Sequence, residues 1–238
     1  MIYFDIHTHR PAVHHEDIAI ISLDLRDREK VAAIFSVDAD YAEKPDSGLM
    51  KTDNRTEYYS VGVHPWYPDR SLMVQACEYA TSPLVVAIGE TGLDKITAAG
   101  TDNFKLQQGL FMEHIALSEK VKKPLIIHCV KAFDELLHVR ETAKPTMPWI
   151  IHGFRGKAAL AGQLMDAGIY LSFGANHNTD SLKAAWKQRR LLAETDDTNT
   201  DIRYVYKQIA INLNITLIEL SYSIEKFFES QFFNNSYL

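Results

Sequence analysis

Short apolar runs alternate with helical patterns along this 238-residue chain, and this alternation is what most restricts its fold. Strands separated by helices form parallel sheets, and about eight of them can close into a barrel. Eight runs are predicted as barrel strands: 2–6, 32–37, 58–63, 84–88, 124–128, 149–152, 169–173 and 190–194. A ninth run, Ile18–Leu23, competes with 32–37 for the second position in the barrel. The pattern predicts an α/β protein with a (β/α)8 TIM-type barrel.

The spacers between these runs carry helical patterns. The pattern at 156–167 predicts a crossover helix that ends at Gly168. The pattern at 201–233 predicts two helices with a break near 212–215. Residues 201–238 are therefore expected to close a single domain that spans 1–238. The polar stretch 38–57 is predicted to cross the barrel mouth. Between the fourth and fifth strands, a helix is expected with these apolar side chains near one face: Phe104, Phe111, Ile115 and Val121.

Composition favours a soluble, cytoplasmic protein. The hydrophobic content of 46% suffices for a large core, and no apolar run approaches the roughly 18 residues of a membrane-spanning helix. The chain starts with a strand rather than a signal sequence. Two cysteines are too few to predict a disulfide framework or a zinc cluster. The net charge of −6 gives no overall basic surface for nucleic acid.

Imidazole and carboxylate side chains recur where the predicted strands end. Asp5, His7 and His9 fall on one side of the first strand, because side chains alternate along a strand. Barrels of parallel strands place their active sites at the carboxyl ends of the strands. A similar side chain follows each of several later strands: Glu90, His128, His152 and Asp196, with His64 after the third. The pattern predicts a metal site at this end of the barrel.

The residue types at this site restrict the metal. A mixed imidazole and carboxylate shell suits zinc, manganese, iron or magnesium, and it offers no soft sulfur ligand that would select copper. Asp5 is less clear as a ligand. It could instead accept the second N–H of a metal-binding histidine and so fix its tautomer.

Several motifs in order resemble the TatD-type metal-dependent deoxyribonucleases of the amidohydrolase superfamily. The resemblance covers residues 1 to about 200, and the motifs together are far more specific than any one alone. The motifs are DIHTH at 5–9, GVHP at 62–65, AIGETGLD at 87–94, Gln107 and Phe111 before PLIIH at 124–128, HGFRG at 152–156, and ETD at 194–196.

The resemblance implies a somewhat irregular barrel that binds two divalent metal ions, magnesium, manganese or zinc. One ion would be held by His7, His9, Glu90 and Asp196. The other would be held by Glu90, His128 and His152, with Glu90 as the bridge.

Such a pair of ions indicates a hydrolytic mechanism. Two cations about 3.5 to 4 Å apart lower the pKa of a bridging water and clamp the oxygens of a phosphoryl displacement. A metal-bound hydroxide is thus the expected nucleophile. Glu90 and Asp196 are the predicted catalytic residues, and Asp196 would orient the hydroxide and take its proton. The resemblance also places His64 near the substrate phosphate.

Departures from the family pattern concern the substrate. Lys131 stands where an arginine is common, which keeps the charge but loses bidentate geometry. Arg155 stands where a small residue is usual, and Asp197 follows the ETD motif in place of alanine. Lys131 and Arg155 are predicted to contact phosphate. Trp66, Tyr67 and Phe154 could stack on bases or pack beneath the loops.

Three functions are compatible with these residues. The favoured one is hydrolysis of phosphodiester bonds in DNA, at single-stranded ends that fit a barrel mouth. The alternative is a binuclear hydrolase that cleaves a small-molecule ester, amide or phosphate. A third is a non-catalytic protein that keeps the barrel, which the complete set of costly polar ligands disfavours. Neither a membrane nor a protein partner is predicted.

Overall fold

A computed structural model describes residues 1–36, 56–98 and 100–233 of the chain. Its eight strands pair in parallel in sequence order, from β1 with β2 to β7 with β8, which is the arrangement of a (β/α)8 barrel. The strands are β1 Phe4–Thr8, β2 Ile18–Asp24, β3 Glu57–Gly62, β4 Val85–Asp94, β5 Leu125–Val130, β6 Trp149–Ile151, β7 Tyr170–Phe173 and β8 Leu191–Ala193.

Eight α-helices accompany the strands in the described residues. A 3-10 turn over Arg70–Leu72 leads into the second helix, and a π-helical turn over Glu229–Phe233 follows the last. The helices are α1 Arg28–Ser36, α2 Met73–Tyr79, α3 Thr101–Val121, α4 Phe133–Ala143, α5 Ala158–Asp166, α6 Thr179–Lys187, α7 Ile202–Leu213 and α8 Leu217–Phe228. The predicted helices before the fifth strand, at 156–167 and in the C-terminal region are confirmed.

The second predicted strand is wrong, and its competitor is correct. β2 is Ile18–Asp24, whereas residues 32–36 belong to α1. The side chain of Asp27 accepts a hydrogen bond from the Lys30 N–H at 3.2 Å, which caps the start of this helix. Val31 is the one fully buried residue of α1, so the short apolar run covers a sheet face instead of lying within the sheet. The predicted excursion at 38–57 lies outside the described residues as far as residue 55.

β4 is longer than the sequence pattern predicts. It continues past residue 88 to Asp94, so Glu90 lies inside the strand, and the pairing with β5 shifts register between Ile88 and Thr91. Gly92 pairs with His128 of β5 and has φ +143°. A Cβ at Gly92 would lie 2.0 Å from the carbonyl oxygen of His128, so only glycine permits this approach of the two strands.

The barrel closes between its first and last strands at one point. Thr8 and Asp196 form an isolated parallel bridge. The His9 N–H donates to the Asp196 carbonyl at 3.2 Å, and the Asp196 N–H donates to the His7 carbonyl at 3.0 Å. The seam between β1 and β8 is therefore made by the backbone of three residues whose side chains were predicted as metal ligands.

Large side chains between the sheet and its helices form the core that holds this frame. Phe4 of β1 packs on Phe228 of α8 with ring centroids 4.5 Å apart, and Phe111 of α3 packs on Trp149 of β6 at 5.4 Å. Each fully buried side chain of this size stabilises the fold by about 1.5 to 3 kcal/mol. Within the described ranges, none of the helices combines the length and the apolar character needed to cross a membrane.

Candidate metal centre

The predicted ligands meet at the carboxyl ends of five strands. His7 lies in β1, Glu90 in β4 and His128 in β5. His152 comes directly after β6, and Asp196 follows β8 by three residues. Because parallel strands end at one rim of the barrel, side chains that are up to 189 positions apart in sequence lie within contact distance there.

Glu90 is at the middle of the cluster, and its two oxygens face different partners. Its Oε2 lies 3.3 Å from His7 Nε2 and 3.6 Å from His9 Nε2. Its Oε1 lies 2.8 Å from His152 Nε2 and 3.0 Å from His128 Nδ1. The carboxylate thus divides the imidazoles into two sets.

Asp196 completes the first set. Its Oδ1 lies 3.5 Å from His7 Nε2 and 3.7 Å from His9 Nε2, so two histidines are each shared between two carboxylates. His7 is fully buried, whereas the His9 side chain is 40% exposed and borders the cleft. Asp196 has φ +55°, a conformation uncommon for residues other than glycine, which is fixed by its backbone bonds across the seam.

His64 belongs to the second set. Its Nε2 lies 2.8 Å from Glu90 Oε1, and its Nδ1 accepts a hydrogen bond from the Trp66 N–H at 3.0 Å. The accepting Nδ1 means that the proton of the neutral ring is on Nε2, toward Glu90. The potential ligand atoms of His64, Glu90 and His128 all lie within 4.8 Å of one another. His64, predicted to contact substrate phosphate, is therefore also placed where it could bind a metal.

The carboxylates at the centre are held ionised. Burial raises the pKa of Glu90, but the facing His152 and His7 outweigh it and hold the pKa well below its ordinary value. Burial likewise acts to raise the pKa of Asp196, and the contact with His7 together with the charge of His152 lowers it to about 2. Two buried carboxylates that stay ionised favour positive charge between them, as a divalent cation would supply.

The pKa values of His128 and His64 shift in opposite directions. Burial alone would lower the pKa of His128, but Glu90 and Asp94 on its two sides raise it overall. For His64 burial prevails and lowers the pKa, because Glu90 compensates only in part and His128 opposes a second charge. His64 therefore stays neutral and keeps its tautomer near pH 7.

Asp5 and Glu194 lie behind the cluster and support it. Asp5 accepts hydrogen bonds from the N–H and hydroxyl of Thr195, at 3.1 and 2.6 Å, and burial raises its pKa to about 7. Glu194 accepts a hydrogen bond from the Gly153 N–H and lies 3.9 Å from His152 Nδ1. Asp5 thus holds the loop that carries Asp196 and does not reach the ligand groups.

Sequence reasoning missed Asp94. Its Oδ2 lies 3.1 Å from His128 Nε2 and accepts a 2.8 Å hydrogen bond from Trp66 Nε1, while the N–H groups of Ile96 and Thr97 donate to Oδ1. It orients one predicted ligand and one aromatic side chain of the cleft. A signal was available, since Asp94 ends the AIGETGLD motif and lies four residues after Glu90, on the same side of the strand.

The side chains in this cluster fit a metal ion. Among the described residues, buried polar atoms without a hydrogen-bond partner include His7 Nδ1 and Nε2, His152 Nδ1 and Glu90 Oε2. Unpaired polar atoms at such depth cost free energy unless a ligand satisfies them. Three groups have ligand atoms within 4.8 Å of one another, and each contains a histidine and a carboxylate: His7, His152 and Asp196; His7, His9 and Glu90; His64, Glu90 and His128.

Two cavities flank the cluster and both include His152. The larger, of about 340 Å³, contains Glu90, His128 and Asp196 and is bordered by Trp66 and Tyr67, each 49% exposed. The smaller, of about 210 Å³, is lined by Lys131 and Arg155. The two predicted phosphate-binding cations therefore lie beside the cluster, in the second cavity. Phe154 is only 2% exposed, so of the three aromatic residues considered for stacking it is the one that packs in the core.

Comparison with known proteins identifies the family. A family model described as "TatD related DNase" matches residues 4–232. The chain belongs to the TatD family. An uncharacterized metal-dependent hydrolase of Bacillus subtilis, YabD, is 28% identical over 243 residues, 92% of this chain and 94% of that protein. The TatD homologue YjjV of Escherichia coli, whose crystal structure is known, has a TM-score of 0.74 at 20% identity, with 98% of each chain covered, and so shares the barrel fold.

Other relatives match over part of their length. An uncharacterized metal-dependent hydrolase of Buchnera aphidicola is 37% identical over 123 residues, so the matched region spans 50% of this chain and 46% of that protein. A protein of Klebsiella pneumoniae named 3'-5' ssDNA/RNA exonuclease TatD is 28% identical over 150 residues, 58% of this chain and 56% of that protein. The family is thus one of metal-dependent hydrolases, and one of these relatives carries a nuclease name.

Proposed function

We propose that this protein is a metal-dependent phosphodiesterase that hydrolyses DNA, at single-stranded ends, with two divalent ions bound around Glu90. The observation that carries the proposal is the placement of Glu90, whose two oxygens face two separate sets of imidazoles. A carboxylate with this arrangement is suited to bridge two cations, which is the arrangement that favours displacement at phosphorus.

Each set of side chains offers ligands for one ion. His7, His9 and Asp196 would hold one together with Glu90 Oε2, and His128 and His152 would hold the other together with Glu90 Oε1. When bound, divalent magnesium, manganese or zinc supplies positive charge for the phosphoryl oxygens and makes a water molecule more acidic.

The protein's own side chains orient the reactants. Asp196 is ionised near neutral pH, so it accepts a hydrogen bond from an attacking water and directs the lone pair of that water toward phosphorus. A pKa of about 2 makes Asp196 a weak base, so orienting the water is its larger contribution. The His64 Nε2–H faces Glu90 Oε1 at 2.8 Å, and it would be free to donate to a phosphoryl oxygen when that carboxylate oxygen binds a cation instead.

The shape of the cleft supports a flexible substrate. Trp66 and Tyr67 stand half exposed at its border, where they can stack on bases. Trp66 is held by the hydrogen bond to Asp94, which also contacts His128, so the position of the indole is tied to the metal centre. The nuclease name of the Klebsiella pneumoniae relative agrees with such a substrate.

The test is turnover of a 3′-labelled single-stranded oligonucleotide with magnesium, manganese or zinc, and with a chelator. Glu90→Gln and Asp196→Asn should each abolish turnover while leaving the protein folded, and Glu90→Gln should also lower the metal content measured by mass spectrometry. Glu141→Gln, at an exposed position of α4, is the matched control and should keep both. Full turnover by both site variants would overturn the assigned roles.

The second candidate is a binuclear hydrolase of a small-molecule ester, amide or phosphate. The observation that favours it is the acidic cleft, where Asp24 and Asp197 join the central carboxylates. An aryl ester and an aryl phosphodiester assayed beside the oligonucleotide separate the two functions. Chelator-sensitive cleavage of the ester alone would select this candidate over the nuclease.

A further inference from the structure

The cleft that contains Glu90 holds one lysine or arginine among its described lining residues, and this is Arg26. Four carboxylates line the same cleft: Asp24, Glu90, Asp196 and Asp197. Bound metal ions would neutralise the charge of the two central carboxylates, Glu90 and Asp196. A polyanionic substrate that extends beyond the metals would still meet negative charge, and Arg26, the one lysine or arginine among the described lining residues, is the side chain able to receive it.

Arg26 is held in one orientation. Its Nε donates to Asp24 Oδ1 at 2.8 Å and its Nη2 donates to Asp24 Oδ2 at 2.6 Å. The guanidinium carbon lies 3.5 Å from the centre of the Tyr67 ring. Since a guanidinium has five N–H donors, the two bonds to Asp24 leave donors for a ligand while the Tyr67 ring covers one face of the guanidinium. Binding would then cost little side-chain entropy.

The sheet register places Arg26 next to the metal centre. Asp24, two residues before Arg26, pairs with Gly62 at the end of β3, and His64 follows two residues later. His64 in turn contacts Glu90 of β4. Neighbouring strands are about 4.8 Å apart, so the loop after β2 lies about 10 Å from β4. Because the Arg26 side chain lines the same cleft as Glu90, it can meet a phosphate that neighbours one bound at the metals.

We propose that Arg26 binds a second phosphate of the substrate, the one adjacent to the phosphodiester that is cleaved. The inference rests on the proposed function and narrows it, because it selects substrates with at least two phosphates. Asp24 and Tyr67 act as positioning residues for the guanidinium. Lys131 and Arg155 lie in the other cavity, beyond His152, and would meet a different part of the strand.

The test uses two thymidines joined by one phosphodiester. The form without a terminal phosphate is compared with forms that carry a phosphate at the 5′ or the 3′ end. The wild-type enzyme, loaded with manganese, should show a higher kcat/KM for one phosphorylated form. Arg26→Gln should reduce that preference by about tenfold or more, through KM, as expected for loss of a charge-assisted hydrogen bond. Arg26→Lys, which keeps the charge without the bidentate geometry, should recover part of the preference.

Arg28→Gln is the matched control, because Arg28 begins α1 two residues away and does not line the cleft. It should keep the wild-type preference. Equilibrium binding of the same dinucleotides with manganese present, with and without Arg26→Gln in the Asp196→Asn variant that cannot turn over, gives a readout that does not need cleavage. A preference that survives in Arg26→Gln, or is missing from the wild type, overturns the inference. Binding that depends on Arg26 without any cleavage of dinucleotides would overturn the nuclease proposal and leave the anion site standing.

Discussion

His114 of α3 makes stability depend on pH in a predictable way. The ring is fully buried, its Nδ1 lies 2.7 Å from the Leu110 carbonyl, and its Nε2 accepts the Val63 N–H at 2.9 Å. Both nitrogens are therefore used by a neutral imidazole. Protonation would bury a charge and replace the Val63 hydrogen bond with two opposed N–H groups.

The magnitude follows from the pKa. Burial lowers the pKa of His114 from 6.5 to about 4. Between these pH values His114 is protonated in the unfolded chain and neutral in the folded chain, so the free energy of unfolding falls as pH decreases. The stabilisation is complete above pH 6.5, is lost progressively toward pH 4, and is constant below it. At about 1.4 kcal/mol per pH unit, the loss amounts to about 3 kcal/mol.

The assay is urea unfolding of the wild type and of His114→Gln at pH values from 4 to 8. Groups common to both proteins cancel in the difference, so the wild type should lose about 3 kcal/mol more than the variant on acidification. His138→Gln, at an exposed position of α4, should follow the wild-type profile. Parallel profiles for the wild type and His114→Gln would refute the reasoning.

Three other predictions concern two glycines and the metals. Gly92→Ala should destabilise the fold by at least about 3 kcal/mol in urea unfolding, because it adds backbone strain to a 2.0 Å clash with the His128 carbonyl. Gly162→Ala in α5, where an added Cβ meets nothing within 4 Å, should instead stabilise by about 0.5 to 1 kcal/mol. Added manganese should raise the free energy of unfolding by about 2.7 kcal/mol at a concentration 100 times its Kd, and chelator should reverse this. A thermal midpoint that does not respond to any divalent metal would contradict the proposed metal centre.

Much of the fold could be predicted from periodicity, and the exceptions have physical causes. Residues 32–36 form an apolar run as short as a strand. The structure shows them as a helix, because Asp27 caps its start and Val31 is its one buried residue. β4 exceeds its apolar run because its pairing with β5 resumes at Thr91, after a register shift that spans Gly89 and Glu90. Local patterns contain little information about such long-range pairing.

The site could be predicted as far as strand ends determine it. His7, Glu90 and Asp196 lie together because each sits at the same rim, which the sequence pattern already indicates. Lys131 lines a neighbouring cavity. Arg26 enters the cleft from the loop after β2, a strand that the sequence pattern indicates only as an alternative to 32–37. Which side of a loop a charged side chain faces depends on contacts such as the Asp24 pair, and spacing along the chain does not encode them.

The seam between β1 and the segment after β8 ties completion of the site to the synthesis of Asp196. The Thr8 hydroxyl and the Asp196 carbonyl meet 3.4 Å apart across 188 positions of sequence. During synthesis, His7 and His9 leave the ribosome first and lack the Asp196 carboxylate until the segment after β8 follows. A product truncated before that point lacks both the closing bridge and Asp196, so metal retention should distinguish products that extend past residue 196 from shorter ones.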